Sequence, residues 1–498
     1  MELRWHPYRY YPYERELARR EISALLSPTA VHEQPHGFSL EGPVARAALD
    51  RLVYFAEFSD GEQQVPLLQA RLERESSGGA SRQSTRYSVH GLHEYKGKFN
   101  PQIARALLNI LQVSGNGRVL DPFCGSGTSL VECSHVGISS LGVDINPLAV
   151  FVANAKLAAL QIAADQLRAE LDQALRRYRG SRAPKQGASD VRAEYLGKWF
   201  EPEILDTIER LRNALLQGDS RCSSILLTIA SNLLRDYSLQ DPVDLRIRRR
   251  KTPIPETPLI EAFEQEARAF FTKQECAQAA FVQKCPTAQA LLGDIRKLLA
   301  PERPGPNLGR FDCAITSPPY ATALPYIDTQ RLSLIWLGLL TPSEVQHLEA
   351  RLVGSREVRG ESKKTLLAEL LENRRQIPEE QLQYCLQLQG SLTDSDGFRR
   401  QAVPLLLYRY FADMAQAFGS VRKCLKDNAP FALIVGSNHT VLSGKRFDID
   451  TPAHLAHLAK SCGWFHQETM PLQTYQRFGG YHMSNAIHSE SLVILRAV

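Results

Sequence analysis

The sequence predicts an α/β fold, a mostly parallel sheet flanked by helices and broken by helical insertions, and three observations carry that expectation. The short run Arg118-Val-Leu stops at Asp121, gives way to a glycine-rich turn and resumes with helical spacing from Thr128 to His135. A second run, Ser140 to Val143, stops at Asp144, and Pro147 suits the first turn of a following helix. The same grain returns at Ala290–Leu292, Asp312–Ile315 and Pro430–Val435. Strands that alternate with helices imply parallel neighbours joined by crossovers.

Taken in order, residues 1–90 read as a separate N-terminal segment. It opens on the aromatic stretch Trp5 to Tyr13, continues with a charged helical pattern from Glu14 to Leu26, and ends in the polar run 75–86, which reads as a linker. Residues 91–160 carry the first strand–turn–helix units, with apolar residues at helical spacing from Ile103 to Leu111. Residues 161–286 form a helical insertion, 287–330 return to the sheet, 331–400 form a second helical insertion, and 401–498 complete the core. Segments near 466–474 and 491–496 are expected to close the sheet as an antiparallel pair.

A chain of 498 residues is too long for one ordinary domain without insertions. With 43% apolar and 23% charged residues it is globular and not disordered. A net charge of +5 permits a local basic face without requiring one. The nine cysteines form no CxxC pair, so neither a zinc site nor a disulfide framework is expected, and no metal is called for. The N-terminus, with Arg4, His6, Arg9, Glu14 and Arg15, holds no signal-peptide core, and no run of about 18 apolar residues occurs. A cytoplasmic protein with no membrane partner is the expectation.

Chemistry concentrates in two loops. Asp121-Pro-Phe-Cys-Gly-Ser-Gly-Thr128 lies between a strand and a helix. Gly125 and Gly127 allow a tight turn and close approach of a ligand. Asp121 can accept hydrogen bonds from a ligand ammonium, and Asp144, followed by Asn146 and Pro147, is placed to hold two ribose hydroxyls. Two glycines alone mark only a turn; the strand before them and the acid about twenty residues on give the string meaning. It is not a P-loop, because no lysine follows Gly127. The second loop, Thr316-Ser-Pro-Pro-Tyr320, follows Asp312–Ile315, at the strand edge where open α/β sheets bind ligands. Its prolines lack N–H groups, so the loop presents carbonyl acceptors, Ser317 adds another, and Tyr320 adds a flat ring. Such acceptors suit the amine of a base, whose lone pair is delocalised until hydrogen bonds favour a tetrahedral nitrogen.

Together these strings resemble the amino-methyltransferases of DNA, which modify N4 of cytosine or N6 of adenine. The resemblance implies a seven-stranded, mostly parallel, Rossmann-like methyltransferase core with helical insertions, S-adenosyl-L-methionine as cofactor, and a base flipped out of DNA as substrate. His93 to Pro101 resembles a further cofactor motif, so Phe99, Asn100 and Pro101 are implied to help enclose the cofactor. So are Asp121, Pro122, Phe123, Gly125, Gly127, Thr128, Asp144, Asn146 and Thr316, and Asp294 of Gly293-Asp294 is implied to read its adenine. Ser317, Pro318, Pro319 and Tyr320 are the implied catalytic set, and serine at 317 is similar to the N4-cytosine branch. A cognate restriction or defence partner is a candidate. In the matching family order the target-reading region precedes the catalytic loop directly; here 161–286 lies earlier, so it and 331–400 both remain candidates.

Arg246, Arg248, Arg249, Arg250 and Lys251 form a candidate DNA-phosphate contact, against the reading of a solvated surface loop. Lys96 and Lys98 face the same choice. Tyr326 and Asp328 are candidates for the base pocket, with Tyr326 favoured as packing, and Trp199, Phe200 and the N-terminal aromatics read as structural. Gly479, Gly480, Tyr481 and His482 form an aromatic loop with no readable role. Cys124 has no orienting base and is not expected to act as a nucleophile. The rival readings are an N6-adenine enzyme, an RNA guanine N2-methyltransferase, and a DNA-binding module on the same fold.

Overall fold

The computed structural model describes residues 1–44, 46–74, 83–181, 190–281, 287–297, 309–321, 327–356, 363–473 and 489–498. Tyr326, the loop 479–482 and residues 75–82 of the expected linker lie outside them. Seven strands form the central sheet: β1 (Arg118–Asp121), β2 (Ser139–Asp144), β3 (Ala288–Leu292), β4 (Cys313–Thr316), β5 (Pro430–Gly436), β6 (Trp464–Gln473) and β7 (Ser489–Ala497). Their spatial order is β6-β7-β5-β4-β1-β2-β3. The pairs β1–β2, β2–β3, β1–β4 and β4–β5 are parallel, whereas β7 runs antiparallel to both β5 and β6. This is the expected seven-stranded, mostly parallel Rossmann-like core, with the closing antiparallel pair in its expected place.

Alternation along the strands divides the core in two. Leu120, Ala314, Phe431, Leu433 and Val435 face one cluster, packed with the helices Phe398–Cys424 and Thr451–Ser461. Val119, Cys313, Ile315, Ala432 and Ile434 face the other way. Because both faces are covered, β5 is buried at all seven positions and reads as a continuous apolar run.

The covering layer on the second face is the N-terminal segment itself. Five antiparallel strands, in the order Ala30–Gln34, Gly37–Glu41, Glu2–Trp5, Phe55–Ser59 and Gln64–Pro66, pack with the helix Pro12–Leu26. Leu3, Leu17, Ile22, Phe38 and Phe55 share one cluster with Ile103, Leu107 and Ile434. The aromatics are largely structural: Trp5 stacks on Phe55 at 4.6 Å and Tyr10 donates to the Tyr54 carbonyl at 2.6 Å.

The first insertion is helical, comprising Ala164–Gly180, Val191–Gly197, Pro202–Leu216, Ser220–Leu233 and Leu259–Ala280, and it packs against the helix Pro147–Gln161. The second comprises Arg331–Trp336, Pro342–Arg351, Lys363–Leu371 and Glu379–Gly390. Among the described residues no single helix is long and apolar enough to cross a membrane.

Candidate active site

The two loops meet at the C-terminal edge of the parallel strands. Asp121 ends β1 and Thr316 ends β4, and because these strands are neighbours the Thr316 hydroxyl donates to Asp121 Oδ1 at 2.7 Å across 195 positions of sequence. One cavity of about 430 Å³ takes walls from both loops. Its lining includes Tyr95, Lys96, Gly97, Lys98 and Phe99; Pro122, Phe123 and Gly125; Asp144, Ile145 and Asn146; Gly293, Asp294, Ile295 and Arg296; and Ser317, Pro318, Pro319 and Tyr320. That volume falls in the range of small-molecule sites.

The glycines are required by geometry. Gly125 has φ +48°, and a Cβ there would lie 3.2 Å from the Tyr95 ring; Gly127 has φ +80°, with its would-be Cβ 2.9 Å from Ala153 Cβ. Gly127 caps the helix Thr128–His135, so Thr128 begins a helix whose first N–H groups face the loop. Asp144 is tied into the same turn: Gly125 N–H donates to Oδ2 at 2.9 Å and Asn146 N–H to Oδ1 at 2.8 Å. A carboxylate has about four acceptor positions, so room is left for two hydroxyls. Burial pushes the carboxyls of both Asp121 and Asp144 up to about 6, although their hydrogen bonds pull the other way.

Other expected residues take different places. Asn100 accepts from Gln102 N–H at 2.9 Å and, with Pro101, starts the helix Pro101–Ile110; of that trio only Phe99 lines the cavity. Asn146 caps its helix and donates to Gln330 at 2.5 Å. Asp294 lines the cavity, but Arg296 engages both its oxygens, at 2.9 and 2.7 Å, and also pairs with Asp413 at 2.7 Å. Burial raises the Asp294 pKa, yet the Arg296 bonds and charge outweigh it and hold it below the usual value. Asp328 pairs with Arg331 and is absent from the lining.

In the basic run, Arg250 is consumed by the loop: it donates to the carbonyls of Asp236, Ser238, Thr252 and Pro253. Arg249 donates to Lys198 O at 3.0 Å and lies 5.7 Å from the Trp199 ring centroid, and Arg248 pairs with Asp244 at 3.1 Å. Arg246 and Lys251 are exposed. The segment before the run and the strap His93–Phe99 are both tied to one helix end: Arg235 donates to Asp241 O at 3.0 Å, while neighbouring Ser231 and Asn232 bond His93 and the Glu94 N–H.

Several site residues were not singled out in the sequence. Tyr320 donates to Glu490 at 2.5 Å, and Glu490, on β7, lines the same cavity. Arg351, Leu352 and Val353 bring the second insertion to the cavity wall, and a Cβ on Gly354 would lie 2.6 Å from the Tyr320 carbonyl oxygen. Asn438 Nδ2 donates to Ala321 O at 3.1 Å, just after the loop Thr316–Tyr320. None of these has a local signal, because each acts across the chain.

Behind the glycine-loop helix lies a buried carboxylate. Glu132 Oε1 meets Tyr87 OH at 2.8 Å, His90 at 2.7 Å and His135 at 3.2 Å, while Oε2 pairs with Arg105 at 3.3 Å. Burial pushes Glu132 up, but Arg105 and the imidazoles outweigh it and hold the carboxyl well below its ordinary range. His90, Glu132 and His135 are close enough to share a metal ion. The Arg105 guanidinium occupies the same carboxylate and opposes a second cation there.

The chain is similar to known methyltransferases. Residues 92–184 match the family described as "UPF0020: RMKL-like, methyltransferase domain". The Type II methyltransferase M.MjaII of Methanocaldococcus jannaschii is 46% identical over 69 residues, 14% of this chain and 13% of the relative. The Type II methyltransferase M.MvaI of Kocuria varians is 23% identical over 288 residues, 53% of this chain and 60% of the relative. A tRNA (guanine(10)-N2)-dimethyltransferase of Methanothermobacter thermautotrophicus is 40% identical over 52 residues, 10% of this chain and 16% of the relative. The comparisons support a methyltransferase family. The matches to the first two cover less than two thirds of either relative's length. The family and the seven-stranded fold imply S-adenosyl-L-methionine as methyl donor. The cavity fits that molecule: the Asp144 carboxylate at a strand end suits ribose hydroxyls, and Ile145, Ile295 and Leu352 offer apolar walls to an adenine.

Proposed function

We propose that this protein is a site-specific DNA methyltransferase acting on the exocyclic amine of a flipped-out base, with N4 of cytosine as target. The observation that carries this reading is the shared cavity, in which Ser317, Pro318, Pro319 and Tyr320 form one wall and Gly125 and Asp144 another. S-adenosylmethionine, when bound, supplies an electrophilic methyl group. Asp144 holds the ribose, the glycine loop and Phe99 enclose the rest, and the apolar side chains exclude water. Ser317 Oγ and the Pro318 carbonyl accept the amine hydrogens and turn its lone pair toward the methyl group. Tyr320, braced by Glu490, stacks on the base and fixes it in line. The nitrogen then releases one proton to solvent.

Serine at 317 favours cytosine over adenine, and the Type II relatives favour DNA. Arg246 and Lys251 are the phosphate contacts, with Arg248 to Arg250 building the loop that presents them. The 161–286 insertion, which carries this loop, is the target-recognition unit.

The test is methyl transfer to DNA and RNA followed by mass spectrometry of the nucleosides. N4-methylcytosine in DNA is expected. N6-methyladenine would move the target base, and N2-methylguanine in RNA would move the substrate to that of the tRNA relative. Cofactor binding without transfer would leave a DNA-binding module.

A further inference from the structure

Lys98 occupies an unusual electrostatic position in the strap that precedes the helix Pro101–Ile110. It lines the cavity and is half-buried. Its ammonium donates to Thr85 O at 2.9 Å and His90 O at 3.4 Å, two neutral acceptors for a group with three N–H donors. Among the described residues no carboxylate lies within ion-pair distance of it, whereas the neighbouring Lys96 is paired with Glu94 and Arg296 with Asp294 and Asp413. Burial pushes the Lys98 ammonium down to about 8 and the Arg86 charge adds to this, against a lesser opposing pull from the more distant Glu132 and Glu94 charges. A desolvated cation at a cavity wall with no counter-ion calls for a ligand anion.

The position also fits the shape of the cofactor. The Lys98 charge disfavours the charged form of the buried Lys156, and Lys156 Nζ donates to Ser126 O at 3.0 Å and Ser126 Oγ at 3.1 Å in the glycine loop. Lys98 lines one cavity with Gly125, Asp144, Asp294 and Arg296. With the ribose on Asp144 and the adenine beside Asp294, as the proposed reading has it, the amino-acid tail falls to the glycine-loop end, beside Lys98. The N-terminus of the helix Thr128–His135 favours negative charge at that same end.

We propose that Lys98 is the cation that binds the carboxylate of the cofactor's amino-acid moiety. The proposal rests on the reading of this cavity as the S-adenosylmethionine site. The alternative is that Lys98 only staples residues 85–98 into a fixed strap, and ligand chemistry separates the two. Calorimetric titrations compare S-adenosylmethionine with its decarboxylated form, in wild type and in Lys98→Met. Wild type is expected to bind the carboxylate-bearing ligand about 10–100-fold more tightly, the worth of a hydrogen-bonded charge pair. Lys98→Met is expected to erase that preference and to leave the decarboxylated ligand within about threefold of wild type. Equal weakening of both ligands, or of neither, would overturn the proposal. If Lys98→Met loses its thermal transition, Lys98→Gln, which keeps N–H donors for Thr85 and His90, is read by the same criterion. Wild type that binds neither ligand would instead remove the cofactor reading, and this proposal with it.

Discussion

Asp144→Ala separates the structural from the binding role of a single carboxylate. In the folded protein the substitution removes acceptors for Gly125 N–H at 2.9 Å and Asn146 N–H at 2.8 Å. Hydrogen bonds to a charged group are worth about 1.5–3 kcal/mol each. That loss is partly offset, because burial has pushed the carboxyl pKa up to about 6. Removing a strained buried charge returns some of the free energy, so the fall in thermal midpoint is expected to be small, about 4 °C or less. Cofactor affinity has no such offset. Two hydroxyl contacts vanish and the loop that frames them loosens, giving about 2–4 kcal/mol, or roughly 30–1000-fold in Kd. Isothermal titration with S-adenosylmethionine beside a thermal melt reads both quantities. A Kd within threefold of wild type in a folded variant would refute the ribose assignment.

Ser317→Ala is expected to lower kcat about 10²–10³-fold with cofactor Kd unchanged, as for loss of one oriented polar group; tritium transfer at wild-type rate would remove it from the mechanism. Tyr320→Ala is expected to abolish most transfer, whereas Tyr320→Phe, which keeps the ring but loses the 2.5 Å bond to Glu490, should cost only about 2–10-fold in turnover. Arg246→Ala with Lys251→Ala is expected to reduce the slope of log affinity for DNA against log salt by about 2, while Arg250→Ala, whose guanidinium ties four carbonyls, lowers the thermal midpoint instead; an unchanged slope returns the exposed pair to plain surface. The pH dependence has two opposite signs. Asp121 and Asp144 titrate near about 6 when folded, above the ordinary value, so their contribution to stability is present in acid and lost as pH rises through about 6. Cofactor binding needs Asp144, the one of the two that lines the cavity, ionised, so affinity is expected to weaken as pH falls below about 6; titrations at pH 5 and 7.5 giving the same Kd would contradict it.

The strand edge that brings the two loops together was legible because its signals are local. Gly125 and Gly127 stand between a strand and a helix, the strand-end acids Asp121 and Asp144 are about twenty residues apart, and the prolines after Thr316 have no place in a helix or sheet interior. The parallel pairing in the sheet followed from the alternation of strands and helices, whereas the order of its strands is seen only in the structure. What stayed hidden acts at a distance or through competition. Asp294 has an arginine two residues on that claims both its oxygens, and sequence alone does not show that geometry. Arg250 reads as a free cation but is folded back onto carbonyls only the tertiary structure brings near. The N-terminal segment reads as separate because the polar run 75–86 resembles a linker; Leu3, Phe38 and Phe55 in fact share one cluster with Ile315 and Ile434 of the central sheet. Glu132 and Arg105 lie inside apolar helical patterns, and their pairing appears only when two helices cross.

Under the proposed function, residues 121–128 and 316–320 form one chamber in which a base amine reaches the methyl donor. A crystal structure with S-adenosylmethionine and a DNA duplex carrying uracil at the target cytosine, which lacks the amine and stalls transfer, tests this directly. The base is expected flipped between Pro318 and Tyr320, its C4 substituent about 3–3.5 Å from the methyl carbon, with the ribose on Asp144. A target base still stacked in the duplex, or a cofactor bound away from Asp144, would contradict it.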